Sequence, residues 1–190
     1  QYTQLKFIEL GLRIQQWAFF VGEHLYPALA DQWKAAVQHV GPGVVKRDPH
    51  RVDFGIAPAT WNKQSGLVPN HAYWVSDLQI RDEKLLDSTQ TARAFINARS
   101  HAFGQSDAAT LPVAFTHTGL PGPAVVTGLE WLGFGNTTAE NKLTVRAQNL
   151  KSATIDMKRA RLDCSAQIEV ETDGPFALTL AGCNLLKNYP

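Results

Sequence analysis

Apolar positions are spaced differently in the first forty residues than in the rest of the chain. Leu5, Ile8, Leu12, Phe19 and Tyr26 form one ridge at helical spacing, and Leu10, Ile14, Trp17, Val21 and Leu25 form a second beside it. Together the ridges cover more than half of a helical cylinder, wider than an ordinary amphipathic stripe. Pro27 lacks a backbone N–H and clashes with the preceding turn, so it marks a break. Beyond it, Leu29, Trp33, Ala36, Val37 and Val40 predict a second short helix over 28–40. Gly41-Pro42-Gly43 ends the helical region.

From Val44 onward short apolar runs alternate with turn chemistry such as Pro69-Asn70, Gly119 to Pro123 and Asp173-Gly174-Pro175. Strict alternation in 142–148 (Leu143, Val145, Ala147), in 165–171 (Ala166, Ile168, Val170) and in 176–180 predicts strands half-buried on one face. Residues 71–80 and 124–132 also read as strands, the former with Tyr73, Val75 and Leu78 turned one way. Residues 88–102, with Ala92, Phe95, Ile96 and Ala98, fit a helix or a strand. The expected fold is mainly β: an antiparallel β-sandwich over 44–190, preceded by an N-terminal helical segment over 1–41 that serves oligomerisation or packing.

Composition narrows the function classes. Apolar residues make up 44% of the 190 and charged residues only 18%, below the roughly 25% of typical soluble domains. Disorder is excluded by that balance. A formal net charge of +1 argues against a nucleic-acid binder, which needs a basic stripe to neutralise phosphates. No run of about 18 apolar residues predicts a spanning helix, and contact of the N-terminal helices with lipid stays open. Two cysteines, Cys164 and Cys183, either close one disulfide or remain buried thiols. The sequon at Asn136 is a candidate glycosylation site. With the start at Gln1 rather than Met, these features lean towards a secreted protein.

Catalytic and cofactor motifs are missing. There is no GxSxG elbow, phosphate loop, HExxH or CxxC. The six histidines show no spacing of a metal pair. No catalytic residue, metal or cofactor is therefore expected. Aromatic placement is more informative. Trp61 lies in a polar stretch beside Asn62, and Tyr73-Trp74 puts adjacent rings on opposite faces of a predicted strand near Asp77. An exposed ring beside polar side chains suits a sugar, whose C–H face stacks on the ring while the neighbours bond its hydroxyls. Trp61, Asn62, Tyr73, Trp74 and Asp77 are the candidate ligand-binding residues; burial of the same rings in the core is the alternative.

A family resemblance rests on Pro123 to Leu132 (PAVVTGLEWL) and Asn141 to Leu150 (NKLTVRAQNL), with Val52-Asp53-Phe54-Gly55 as a short opening strand. These segments resemble the middle of an H-type lectin domain. The resemblance implies a six-stranded antiparallel β-sandwich, trimeric assembly and binding of N-acetylgalactosamine-type sugars. Gly133 stands where that family prefers Asp, and Thr144 where it commonly has a sugar-binding Arg. A late tryptophan segment is also missing, so architecture carries over and no binding residue does.

The resulting expectation is a secreted, homo-oligomeric binding module with lectin-like carbohydrate recognition. Two other classes compete with it. One is a structural subunit of a particle or filament. The other is a cone-shaped α+β enzyme with His71 or His117 in a deep pocket beside a carboxylate.

Overall fold

The computed structural model of the chain describes residues 14–19, 37–38, 46–56, 66, 69–83, 94–118 and 123–190. Among these the strands are β1 (Ile14–Phe19), β2 (Arg51–Ile56), β3 (Val75–Ile80), β4 (Ala94–Ser100), β5 (Gln105–His117) and β6 (Ala124–Asn136). There follow β7 (Lys142–Gln148), β8 (Leu150–Asp156), β9 (Gln167–Thr172), β10 (Phe176–Ala181) and β11 (Leu185–Tyr189). A 3-10 turn, His101–Phe103, follows β4. The protein is mainly β, and it divides into two compact units.

One unit comprises Lys46–Gln105 and Asn136–Pro190. It holds two four-stranded sheets, ordered β11-β10-β8-β3 and β2-β4-β7-β9. Most strands turn alternate side chains inward, and β4 shows this most strictly, with Ala94, Ile96, Ala98 and Ser100 buried. Buried side chains of both sheets, among them Val52, Trp74, Ile96, Val145, Ile155 and Leu178, belong to one hydrophobic core. The order β7, β8, β9, β10 steps between the sheets, so β7 pairs with β9 and β8 with β10 in parallel. Parallel neighbours cannot be joined by a hairpin. Here each crossover runs through a strand of the other sheet, which is why the expected all-antiparallel pairing does not hold throughout.

Strand 142–148 lies where the alternation predicts it. The ambiguous 88–102 stretch holds β4. In β3, Val75 and Leu78 are both buried although three positions apart. Asp77 takes φ 52° and the register with β8 shifts beyond Ser76, so the inward phase slips as in a bulge. Gly182 and Asn184, at φ 93° and 50°, turn the chain from β10, where alternation over 176–180 predicts a strand, into β11. The β10–β11 turn carries Cys183, disulfide-bonded to Cys164 with Cα atoms 5.4 Å apart.

The other unit comprises Gln1–Val45 and Ser106–Gly135. Its sheet has the order β1-β6-β5. The N-terminal helical segment expected over 1–41 is not supported: Ile14–Phe19 is a strand, antiparallel to residues Ala124 to Leu129 of β6. Gly128 permits that pairing, because a Cβ there would collide with the carbonyl oxygen of Ile14. Ala124, Val126 and Leu129 are buried where β1 covers β6, and every residue from Trp131 to Asn136 is exposed beyond it.

Candidate functional site

The outer face of the β2-β4-β7-β9 sheet is polar, and strand register dictates its layout. Arg51, Arg99, Thr144 and Glu169 lie in one row across the four strands, and Asp53, Asn97, Arg146 and Glu171 in the next. A third row sets Gly55 beside Phe95 and Phe95 beside Gln148. Neighbours on one face, two apart along a strand or adjacent across strands, lie close enough to bond, and these do. Arg51 pairs with Asp53 at 2.6 Å, Lys142 with Glu169 at 2.8 Å and Arg146 with Glu171 at 2.8 Å. The Asn97 amide donates to Asp53, and His101 Nε2 lies 3.0 Å from the Thr144 hydroxyl.

Charge partners shape the protonation of this face. The hydrogen bond from Lys142 holds the Glu169 carboxyl below its usual range. Burial, followed by the charges of Arg99 and Lys142, holds the His101 imidazole below its usual value, so it is neutral at pH 7. Neutral His101 and Thr144 then share a hydrogen bond in which either nitrogen tautomer has a role.

At one end of the third row lies a shallow depression of about 300 Å³, lined by Phe95, Arg146, Gln148, Glu171, Thr172 and Asp173. That volume stands at the low end of small-molecule sites. The Phe95 ring is half-buried, and Gly55 across from it on β2 contributes no side chain beside it. The far wall is held by hydrogen bonds. Both carboxylate oxygens of Asp173 accept from the Asn149 backbone N–H, at 2.9 and 3.1 Å, and Oδ1 accepts from Arg81 at 2.8 Å. Burial raises the Asp173 carboxyl, yet the Asn149 and Arg81 contacts together outweigh it and leave the group below its ordinary value. Arg146 and Glu171 form the exposed rim, and their ion pair orients both. An apolar ring, a guanidinium, an amide and carboxylates thus converge on one opening. That set can stack on a flat C–H surface and exchange hydrogen bonds with hydroxyls.

Of the residues singled out from sequence, Tyr73, Trp74 and Asp77 do not line this depression. Trp61 and Asn62 are outside the described residues. Tyr73 and Trp74 form the two-residue turn between Ala72 and Val75, and the turn separates them. Tyr73 is 46% exposed, whereas Trp74 is 1% exposed and its indole N–H donates to the Pro49 carbonyl at 2.7 Å. Trp74 is therefore a core residue here and offers no ring to a ligand. Asp77 is exposed at the β3 irregularity and accepts from the Ser76 hydroxyl at 3.2 Å. Asn136 is exposed at the end of β6. His71 is exposed beside Asn70 rather than set in a deep pocket. Among the described residues no group of three His, Cys, Asp or Glu side chains could hold a metal ion.

Sequence reasoning missed Phe95, Arg146, Gln148, Glu171 and Asp173. Alternation in 142–148 and 165–171 already turned Arg146, Gln148 and Glu171 outward. What it could not supply was the parallel register of β7 with β9, or the strand identity of 94–100 that brings Phe95 alongside. Comparison with protein-family models, with curated proteins and with solved structures finds no match to this chain.

Proposed function

We propose that this protein is a secreted, oligomeric carbohydrate-binding module built on a β-sandwich, with the depression around Phe95 as its sugar site. The observation that carries the reading is the convergence of Phe95 with Arg146, Gln148, Glu171 and Asp173 on one opening of about 300 Å³. A pyranose presents one apolar C–H face and a rim of hydroxyls. The ring takes the face, and the amide, guanidinium and carboxylates take the hydroxyls. The segments that resemble an H-type lectin, 123–132 and 141–150, include β7, which contributes Arg146 and Gln148. The Cys164–Cys183 disulfide and the exposed sequon at Asn136 suit an oxidising, secretory route. An open site of this size binds a single sugar weakly, so useful avidity needs several copies presented together.

A glycan array probed with the intact protein tests the reading. The expected result is a restricted set of positive glycans, lost on Phe95→Ala and weakened on Arg146→Ala, with the thermal midpoint of either variant close to that of the parent. A silent array, or Phe95→Ala that lowers the midpoint while leaving binding unchanged, makes the ring a cover over Gly55 and ends the proposal. The structural-subunit reading draws on a separate observation, the apolar side chains exposed on the β5–β6 hairpin. It is the reading a silent array would favour.

A further inference from the structure

We infer that the Arg146–Glu171 ion pair makes the Phe95 depression selective for uncharged sugars, and that Glu171 is the residue that turns away their carboxylate-bearing counterparts. This deepens the sugar-site reading, on which it rests, by naming the chemical class that the site takes. Arg146 on β7 and Glu171 on β9 are partners in the parallel register, and the row beside them sets Phe95 against Gln148. All four line the same opening. The ion pair therefore stands beside the ring on which a sugar stacks, within reach of that sugar's substituents.

Arginine recognises a carboxylate through a planar fork of parallel N–H bonds. Here Nε, one prong of that fork, already meets Glu171 Oε2 at 2.8 Å. An incoming carboxylate has two courses. It displaces Glu171, or it takes the Nη edge with Glu171 on the same guanidinium, like charge beside like charge. A hydroxyl meets neither obstacle. It is small and uncharged, and it accepts from an Nη N–H while donating to Glu171 Oε1. A donor set next to an acceptor suits neighbouring hydroxyls of a pyranose.

Charge around the opening points the same way. Among the described residues that line it, Arg146 is the one cation, against the carboxylates of Glu171 and Asp173. Arg81 adds a positive charge beside Asp173 and is committed to it at 2.8 Å. Its guanidinium packs over Gly174, where a Cβ would meet it at 2.9 Å. Cations and carboxylates therefore balance, and no surplus positive charge is left to draw an acid in. The Arg146 and Glu171 side chains are 69% and 74% exposed, so their pair adds little to stability and acts on a ligand through water. Two like charges about 4 Å apart in water cost about fivefold in affinity, and salt screens that cost.

Matched pairs of immobilised hexopyranosides and hexuronides are the test: glucose against glucuronic acid, galactose against galacturonic acid and mannose against mannuronic acid, probed at pH 7 with the intact protein. In a pair whose neutral member binds, the parent is expected to prefer that member by about fivefold. Glu171→Gln keeps an acceptor for Arg146 and removes the charge, so it should bring the ratio to one or invert it. Arg146→Gln should weaken the neutral sugar and leave the acid excluded. Because a β9 variant can disturb its sheet, the parent is also read in about 0.05 M and about 0.5 M salt, where the ratio should shrink at high salt while neutral binding holds. A parent that binds the hexuronide as tightly as the neutral sugar, or a ratio unmoved by Glu171→Gln in folded protein or by salt, would overturn the selectivity and leave the sugar site standing. A parent silent on every pair would end both.

Discussion

The side chain of Asn149 and the backbone of Asp82 exchange two hydrogen bonds. The amide oxygen accepts from the Asp82 N–H at 2.9 Å, and the amide nitrogen donates to the Asp82 carbonyl at 2.9 Å. Asn149 also uses its own backbone fully, donating to Asp173 and accepting from the Arg81 N–H at 3.0 Å. It is 1% exposed and sits at φ 51°, the left-handed conformation that asparagine tolerates better than most residues. One residue thereby turns the chain from β7 in one sheet to β8 in the other and anchors the wall of the Phe95 depression.

Replacing it should be costly in a graded way. Asn149→Ala removes both side-chain hydrogen bonds and puts a Cβ-bearing residue without a local polar partner at positive φ. We expect a loss of about 2–4 kcal/mol by chemical denaturation, combining an unpaired polar group with left-handed strain. Asn149→Gly relieves the backbone and should lose less. Asn149→Asp keeps an acceptor for the Asp82 N–H but faces the Asp82 carbonyl with no donor, and it brings a charge towards Asp173. Its deficit should be larger at pH 7 than at pH 4. Equal losses for Ala and Gly would show that the φ angle has no part in it.

Tyr73 and Trp74 are neighbours with opposite expected sensitivities. Trp74 fills the core and its indole N–H is bonded to Pro49. Trp74→Ala should cost about 3–5 kcal/mol, as large aromatic deletions do, and Trp74→Phe about 1 kcal/mol for the lost hydrogen bond. Tyr73 is exposed at φ 55° with its carbonyl held by Arg159. Tyr73→Gly accepts that φ without strain and should be neutral or slightly stabilising. Thermal midpoints of the three variants check both halves; a Tyr73→Gly loss of core size would place that ring in the packing.

The contrast shows which parts of the fold local pattern carries. Leu143, Val145 and Ala147 announce β7 because a half-buried strand between two partners must alternate. Ile14, Trp17 and Val21 suit a helical ridge equally well, yet 14–19 pairs with a strand more than a hundred positions away. No local propensity reports such a partner, and Gly128, the residue that admits it, looks in sequence like an ordinary weak point in a strand. β5 stayed hidden because Ala108, Ala109, Thr110 and Ala114 give little contrast between faces and Pro112 interrupts them. At the candidate site the outward direction of Arg146 and Glu171 was legible. Their meeting with Phe95 depended on two strand registers, β4 with β7 and β7 with β9, that alternation does not encode.

The disulfide should act on stability and leave ligand recognition alone. Cys164 and Cys183 are 19 positions apart and tie the segment after β8 to the β10–β11 turn. Closing a loop of that length constrains the unfolded chain by roughly 3 kcal/mol. The double variant Cys164→Ser/Cys183→Ser should lose about that much, and reduction of the parent should lower its thermal midpoint to the same value. Neither residue lines the Phe95 depression, so per-site glycan affinity at a temperature where the variant is folded should not change. A loss of affinity equal to the loss of stability would instead tie the site to the staple.

Acid should weaken the fold in two steps that belong to different groups. His101 has a folded pKa below its ordinary 6.5, through burial first and then Arg99 and Lys142. Between those two values the unfolded chain binds more protons than the folded one, so stability rises with pH and is lost as pH falls below about 6.5. Asp173, Asp163 and Glu169 are carboxyls whose folded values also lie below their ordinary ones. For Asp163 the cause is the Ser165 hydroxyl, then the Ser165 N–H and the Asn141 amide. Their contribution is complete above the unfolded carboxyl range and disappears as pH drops through the folded values, below about 4. Stability measured by urea denaturation from pH 8 to pH 3 should therefore decline gently through the histidine window and more steeply in the carboxylate window. His101→Gln retains a side chain that can bond the Thr144 hydroxyl but does not titrate. It should flatten the upper slope and leave the lower one. Asp173→Asn should do the reverse, shrinking the acid-side decline at the cost of lower stability at neutral pH, where the Arg81 partner is lost. An upper slope that survives His101→Gln would assign that step to another histidine.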